Sequence, residues 1–292
     1  MVIRVLVLLL AFSSHAMAEI CATDDTGTEL CLLEPAQRIV TLSPGATELM
    51  FAAGAGEQVI AVVDHSDYPP EADNLPRVGS HTRIDLEALV ALKPDLVITW
   101  VSGNPTEQIA MLEQLGMASF AIEPRTFEGV SSALQRLLML AGTESVGSVE
   151  ADRFRKGIAE LADQYRGRET VRVFYQVWDQ PLMTINDEHL IGKVISLCGG
   201  QNIFGEMARL VPRIGSEDVL AGNPEAILSG EDEEGSSYTS LERWKQFSAM
   251  TAVAAENLFI IPASPISRPT PRLLEGARTV CEKLDVARDQ LH

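Results

Sequence analysis

The sequence predicts an α/β protein of two parallel-sheet lobes joined by one long helix, and three observations carry that prediction. Short β-rich runs alternate with helical patterns along most of the 292 residues. One charged, proline-free stretch interrupts the alternation near the middle. A motif of the first half reappears in the second at a constant offset. The length suits two domains, each able to bury a core. With 46% hydrophobic and 22% charged residues, the composition excludes a mainly disordered chain.

Taken in order, Arg4, an apolar run over 5–12 and Ala16-Met17-Ala18 describe a signal peptide, residues 1–18, cleaved after Ala18. The apolar run is well short of the roughly 20 residues that span a bilayer. Ile20 before Cys21 is not the small residue a lipid anchor requires, so soluble export to the periplasm is expected. Residues 19–37 read as a hairpin, since Cys21 and Cys31 flank the turn signal Asp24-Asp25-Thr26-Gly27. An oxidising compartment permits disulfides. Pairing Cys21 with Cys31 locally leaves Cys198 with Cys281, although four cysteines allow three connectivities and the other two stay open. No C-x-x-C or paired-His spacing favours zinc.

The first lobe is expected over 38–142, with strands at 38–43, 59–63, 95–100 and 118–122. Between them apolar residues fall at helical spacing, as in Leu49, Met50 and Ala53, then Leu86, Leu89, Val90 and Leu92. The linking segment is 143–169. Within it 147–169 is polar and lacks proline, with Phe154, Ile158, Leu161 and Tyr165 spaced by four, three and four, which predicts one amphipathic helix. The second lobe, 170–292, resumes the alternation with strands at 171–177, 226–228 and 258–261. Residues 83–98 lie on 213–228 without a gap, Arg, Ile, Glu, Ala and Pro coinciding. Any αβ unit shares such features, since helix starts favour acids. Even so, the alignment places Glu87 and Glu217 at matching points of the two lobes.

Lys and Arg number 23 against 41 Asp and Glu, a net charge of −18, so nucleic acid is not an expected partner. Ligands of open parallel sheets collect beyond the carboxyl ends of the strands. Loops there carry Tyr68, Trp100 and Trp178 in a chain only 5% aromatic. Such residues wall a cleft for a large, flat or apolar ligand, or else pack the core. No G-x-S-x-G, P-loop, H-E-x-x-H or G-x-G-x-x-G occurs, so no catalytic residue is assigned. His65 and His81 lie in first-lobe loops and could serve as ligands to a metal centre; a lone loop histidine is more often a surface residue, and no metal site is assigned. His189 and His292 read as surface positions. The acidic run 231–234 reads as a solvated loop.

Four segments carry a resemblance: His65-Ser66-Asp67-Tyr68-Pro69-Pro70, Leu92-Lys93-Pro94-Asp95-Leu96-Val97-Ile98, Cys198-Gly199-Gly200-Gln201-Asn202-Ile203-Phe204, and Pro271-Arg272 followed by Cys281. They resemble the periplasmic cobalamin receptors of vitamin B12 ABC importers, within a helical-backbone metal-receptor superfamily that also serves haem, siderophores and metal ions. The resemblance covers residues 38 to the C-terminus. It implies two Rossmann-like lobes bridged by a stiff helix, the class III periplasmic binding protein architecture, with little hinge closure. It implies a monomer that binds a corrinoid as cargo, not cofactor, and delivers it to an ABC permease with its ATPase. Glu87 and Glu217 match glutamates that dock on permease arginines, Tyr68 a cleft tyrosine, Arg268 a position contacting the ligand's polar rim, and Cys198 with Cys281 a family disulfide.

Two family aromatics are replaced here, by His81 and by Val211 before Pro212. Either Trp178 compensates, or the ligand is another corrinoid or a tetrapyrrole whose metal meets His81. A haem or ferric-siderophore receptor is the alternative within the class. An exported metal-dependent enzyme, resting on His65 and His81, is the alternative outside it.

Overall fold

The computed structural model describes residues 19–231 and 241–292. The expected signal peptide and most of the acidic run therefore lie outside the described residues. Strands β1 (Ile20–Thr23) and β2 (Glu29–Leu32) form the N-terminal hairpin, with Cys21 directly opposite Cys31 and disulfide-bonded to it. Asp24 Oδ1 accepts from the backbone N–H groups of Thr26 and Thr28, both at 2.9 Å, and Gly27 takes the left-handed φ of +87° that closes the turn. The hairpin covers a sheet edge: Asp25 donates its N–H to Ala121 O at 2.9 Å, and its carboxylate pairs with Arg136 at 2.6 Å.

The first lobe contains β3 (Ile39–Thr41), β4 (Val59–Ala61), the two-residue strands β5 (Gly79–Ser80) and β6 (Arg83–Ile84), β7 (Leu96–Trp100) and β8 (Ser119–Ile122). Its helices are α1 (Pro44–Ala52), α2 (Leu86–Leu92), α3 (Thr106–Gln114) and α4 (Phe127–Ala141). The main sheet has the order β4-β3-β7-β8, every pair parallel. Both faces are covered. Ile39, Leu96, Ile98 and Phe120 face one core, while Val40, Val97 and Leu112 face another, so the strands read as unbroken apolar runs.

Helix α5 (Glu144–Tyr165) joins the lobes, starting and stopping slightly before the expected 147–169. Gly142, with φ +69°, ends α4 and frees the chain to restart at once. Phe154, Ile158, Leu161 and Tyr165 are buried in the second lobe's core, whereas Ala151 belongs to the first lobe's. Two glycines bring the helix close to each side. A Cβ on Gly147 would lie 2.6 Å from Ala53 O, and one on Gly157 would lie 2.2 Å from a Leu274 methyl. The helix is thus built into both cores.

The second lobe contains β9 (Val171–Gln176), the short strands β10 (Trp178–Asp179) and β11 (Leu182–Met183), β12 (Gly200–Asn202), β13 (Ala226–Glu231) and β14 (Leu258–Pro262). Helices α6 (Leu190–Leu197), α7 (Ser216–Gly222), α8 (Thr251–Ala254), α9 (Ala263–Ser267) and α10 (Leu273–Leu291) complete it. Its sheet, in the order β12-β9-β13-β14, is again all parallel. Cys198 and Cys281 bond α6 to α10. His189 is not the surface residue expected: half-buried, it caps α6 by accepting the Ile191 N–H on Nδ1 at 3.1 Å. Burial pushes its pKa down to about 4, because desolvation disfavours the imidazolium. His292 is exposed beside Glu169, as expected.

The repeat holds at atomic detail. Helices α2 and α7 each have seven residues in matching positions, and each ends in a non-glycine left-handed residue, Lys93 (φ 49°) and Asn223 (φ 40°). Arg38 donates to Leu92 O at 2.6 Å and Lys93 O at 3.2 Å; Arg172 donates to Gly222 O and Asn223 O in the other lobe. Asp95 accepts the Arg38 N–H at 2.9 Å, and Glu225 accepts the Arg172 N–H at 2.8 Å. One device, a strand-leading arginine that caps a helix C-terminus, is thus used twice.

Candidate ligand-binding site

The candidate residues gather where the strands end. Trp100 is the last residue of β7, and its ring centroid lies 5.7 Å from that of His81, tilted by 46°. The pair is held from behind by buried Asn104. Its Oδ1 accepts the Trp100 N–H at 2.6 Å, while Nδ2 donates to Leu42 O at 2.8 Å and to His81 O at 3.0 Å. Three strand-end loops are thereby fastened to one amide. Gly103 lies against the indole, where a Cβ would come within 1.9 Å of the ring. Asn104 does not stand out in the sequence, because Leu42 and His81, which it fastens, are distant along the chain.

A second cluster surrounds Tyr68, which is 40% exposed and carries the Arg272 guanidinium 3.7 Å above its ring centroid. Beside it Arg268 Nη1 donates to Asp67 at 2.6 Å and to Glu48 at 2.8 Å, and Nη2 donates to His65 O at 3.2 Å. Burial alone would raise the Asp67 pKa, but the hydrogen bond and charge of Arg268 outweigh it and hold the carboxyl below its ordinary value. The same pairs, with Glu48 included, raise the Arg268 pKa against its own desolvation. Arg268 thus offers a ligand only the N–H groups left over from three acceptors.

Trp178, 39% exposed, lies in the second lobe on β10, opposite Met183, and donates its indole N–H to Gln180 O at 3.0 Å. Met183 bridges to Arg213, and Thr184 takes its N–H to Pro212 O at 3.1 Å, which sets Trp178 in one loop cluster with Val211 and Pro212. The structure therefore brings His81 to Trp100, sets Tyr68 against Arg272 with Arg268 bonded to the neighbouring Asp67, and places Trp178 at the corresponding end of the other sheet.

Comparison with known proteins settles the family. The sequence profile described as "Periplasmic binding protein" matches residues 39–265. The chain belongs to the periplasmic binding protein family. A vitamin B12-binding protein of Vibrio cholerae is 35% identical over 257 residues, 88% of this chain and 92% of its own. One from Pectobacterium atrosepticum is 34% identical over 266 residues, 89% of this chain and 93% of its own. The crystal structure of the V. cholerae periplasmic vitamin B12-binding protein BtuF superposes with a TM-score of 0.80 at 35% identity, covering 87% of this chain and 98% of that one. The haem-binding protein BhuT, holding two haems, has a TM-score of 0.77 at 20% identity over 89% of this chain and 100% of that one, a likeness of fold.

In this periplasmic binding protein Glu87 and Glu217 both occupy the second position of their helices, and both are exposed. A groove of about 1220 Å³ opens on the other side of the Tyr68–Arg272 pair, between α1, α5 and α10, lined among others by Phe51, Val146 and Arg153. It contains none of His81, Trp100 or Trp178. Helices supply most of its walls and it meets the candidate residues only at Tyr68, whereas ligands of parallel sheets sit at the strand ends, so the strand-end residues are taken as the candidate site.

Proposed function

We propose that this protein captures cobalamin or a related corrinoid between its lobes and delivers it to the permease and ATPase of an ABC importer. Lobes 38–142 and 170–292 form the two walls, and the segment 143–169 is the strut between them. The reading is carried by one observation: a tryptophan and an imidazole are held side by side at a strand end, in a fold whose vitamin B12-binding relatives share a third of its sequence over nearly its full length. Trp100 and Trp178 supply apolar faces from the two lobes, Tyr68 adds a third, and His81 offers one nitrogen toward the ligand. Arg268 meets the polar rim with its remaining N–H groups. Glu87 and Glu217 dock on basic residues of the permease. The protein acts in the periplasm as a monomer after loss of residues 1–18, and capture needs no covalent step, cofactor or resident metal.

Tryptophan fluorescence titrated in parallel with cobalamin, cobinamide, haemin and a ferric siderophore tests this. Saturable quenching by a corrinoid is expected, because Trp100 and Trp178 then lie against the absorbing ring. Quenching by haemin alone would assign the protein to haem, with His81 as the iron's partner.

A further inference from the structure

The contact between the lobes centres on one buried acid that the proposed function does not use. Glu48 lies in the middle of α1, in the first lobe, and is 3% exposed. Its partners come from one short segment of the second lobe. Oε1 accepts from Arg268 at 2.8 Å and from Arg272 at 3.1 Å, and Oε2 accepts from Thr270 Oγ1 at 2.8 Å. A carboxylate withdrawn from water is costly unless paired and hydrogen-bonded, and here both oxygens are satisfied. With the half-exposed Asp67 also on Arg268, two cations face two anions. Arg272 also lies on the Tyr68 ring, so the acid that fixes this guanidinium fixes the ring as well.

We infer that Glu48 is a positioning residue, a clasp that locks residues 268–272 of the second lobe into the first, sets the spacing of the lobes before ligand arrives, and orients Tyr68 through Arg272. Several observations converge on it. The first-lobe side of the contact is drawn from two segments, α1 at Glu48 and the loop carrying His65 and Asp67, while the second-lobe side is a single run. Gly45, at the start of α1, lies against Pro269, where a Cβ would sit 3.6 Å from the proline ring, so the backbones meet at the same place. Helix α5 ties the lobes on another side through Gly147 and Gly157. A strut alone permits the lobes to twist about it; a second attachment removes that freedom. A gap of fixed width binds a bulky rigid ligand without an ordering cost at the moment of capture.

The spacing does not depend on which ligand is bound, whereas the part played by Tyr68 rests on the proposed corrinoid reading. Two measurements keep them apart. Spin labels on Gln114→Cys in α3 and Gln290→Cys in α10, both exposed, report the distance between lobes by pulsed electron resonance. In the otherwise wild-type protein one narrow distance is expected, the same with and without cobalamin. Glu48→Gln should broaden it in the free protein. Thr270→Val strips one hydrogen bond and leaves every charge paired; it should broaden it less, and it decides the matter if Glu48→Gln does not fold. Distributions as narrow as wild type in whichever of these variants fold would overturn the clasp.

The second arm is affinity. Cobalamin should bind Glu48→Gln about tenfold more weakly, and that loss should shrink to less than threefold in a Tyr68→Leu background, because the two act through one contact. Equal losses in both backgrounds would refute positioning through Tyr68. Failure of the wild type to bind any corrinoid would reject the function, while the distance measurement would still decide the clasp.

Discussion

Neutral His189 starts α6, and its protonation would undo the cap. Nδ1 accepts the Ile191 N–H only while deprotonated. The folded pKa of about 4 lies below the unfolded value near 6.5, so between them the unfolded chain binds more protons. The stability this residue contributes is therefore complete above pH 6.5 and is lost as pH falls toward 4. The shift corresponds to about 3 kcal/mol at most. His189→Asn keeps a capping acceptor that does not titrate. Urea denaturation at pH 7.5 and pH 4.5 should show the wild type losing about 2 kcal/mol more than this variant over that interval; equal losses would disprove the assignment. His189 looked like a surface residue in the sequence because nothing local marks a histidine as a cap. The strand-end positions of Trp100 and Trp178 were legible, since the β-rich runs and the loops after them can be counted. Glu48 and Asn104 were not, because Thr270 and Leu42, which bond them, lie far away in the chain.

At the scale of elements, what could be read was what periodicity or β-branched runs announce. Seven of the strands that build the two main sheets follow apolar runs in the sequence and appear in place, shortened or extended at their ends. The eighth, β12, escaped because Gly200-Gln201-Asn202 has no β-branched or aromatic residue; it is an edge strand fixed by pairing with β9. The repeat was legible as an alignment, but its physical content, the arginine caps, was not. Arg38→Ala and Arg172→Ala test that content. Each removes two charge-assisted hydrogen bonds from carbonyls at a helix end, in exposed surroundings, and should cost about 1–2 kcal/mol. Thermal denaturation should show each lowering Tm by about 2–6 °C. Because the sites lie in different lobes, the losses should add. A loss in one lobe with none in the other would mean that the two caps are not equivalent.

For the whole molecule, matching positions become a matter of spacing. Glu87 and Glu217 stand at equal points of two similar lobes, and α5 and the Glu48 contact keep those lobes at one separation. A pair of acids held rigidly at a set distance engages two basic sites together, with the second contact made at high effective concentration. Neither acid is among the residues proposed to line the cleft, so docking and capture should separate. Glu87→Ala and Glu217→Ala should each lower corrinoid uptake by cells on the order of tenfold, since each turns a two-point contact into one. The double variant should fall further, and raised salt should weaken docking of the wild type more than that of the double variant. The cobalamin Kd of the purified variants should match wild type in every case. An uptake defect accompanied by an equal loss of affinity would place these acids in the ligand site, and a single variant with undiminished uptake would break the two-point contact.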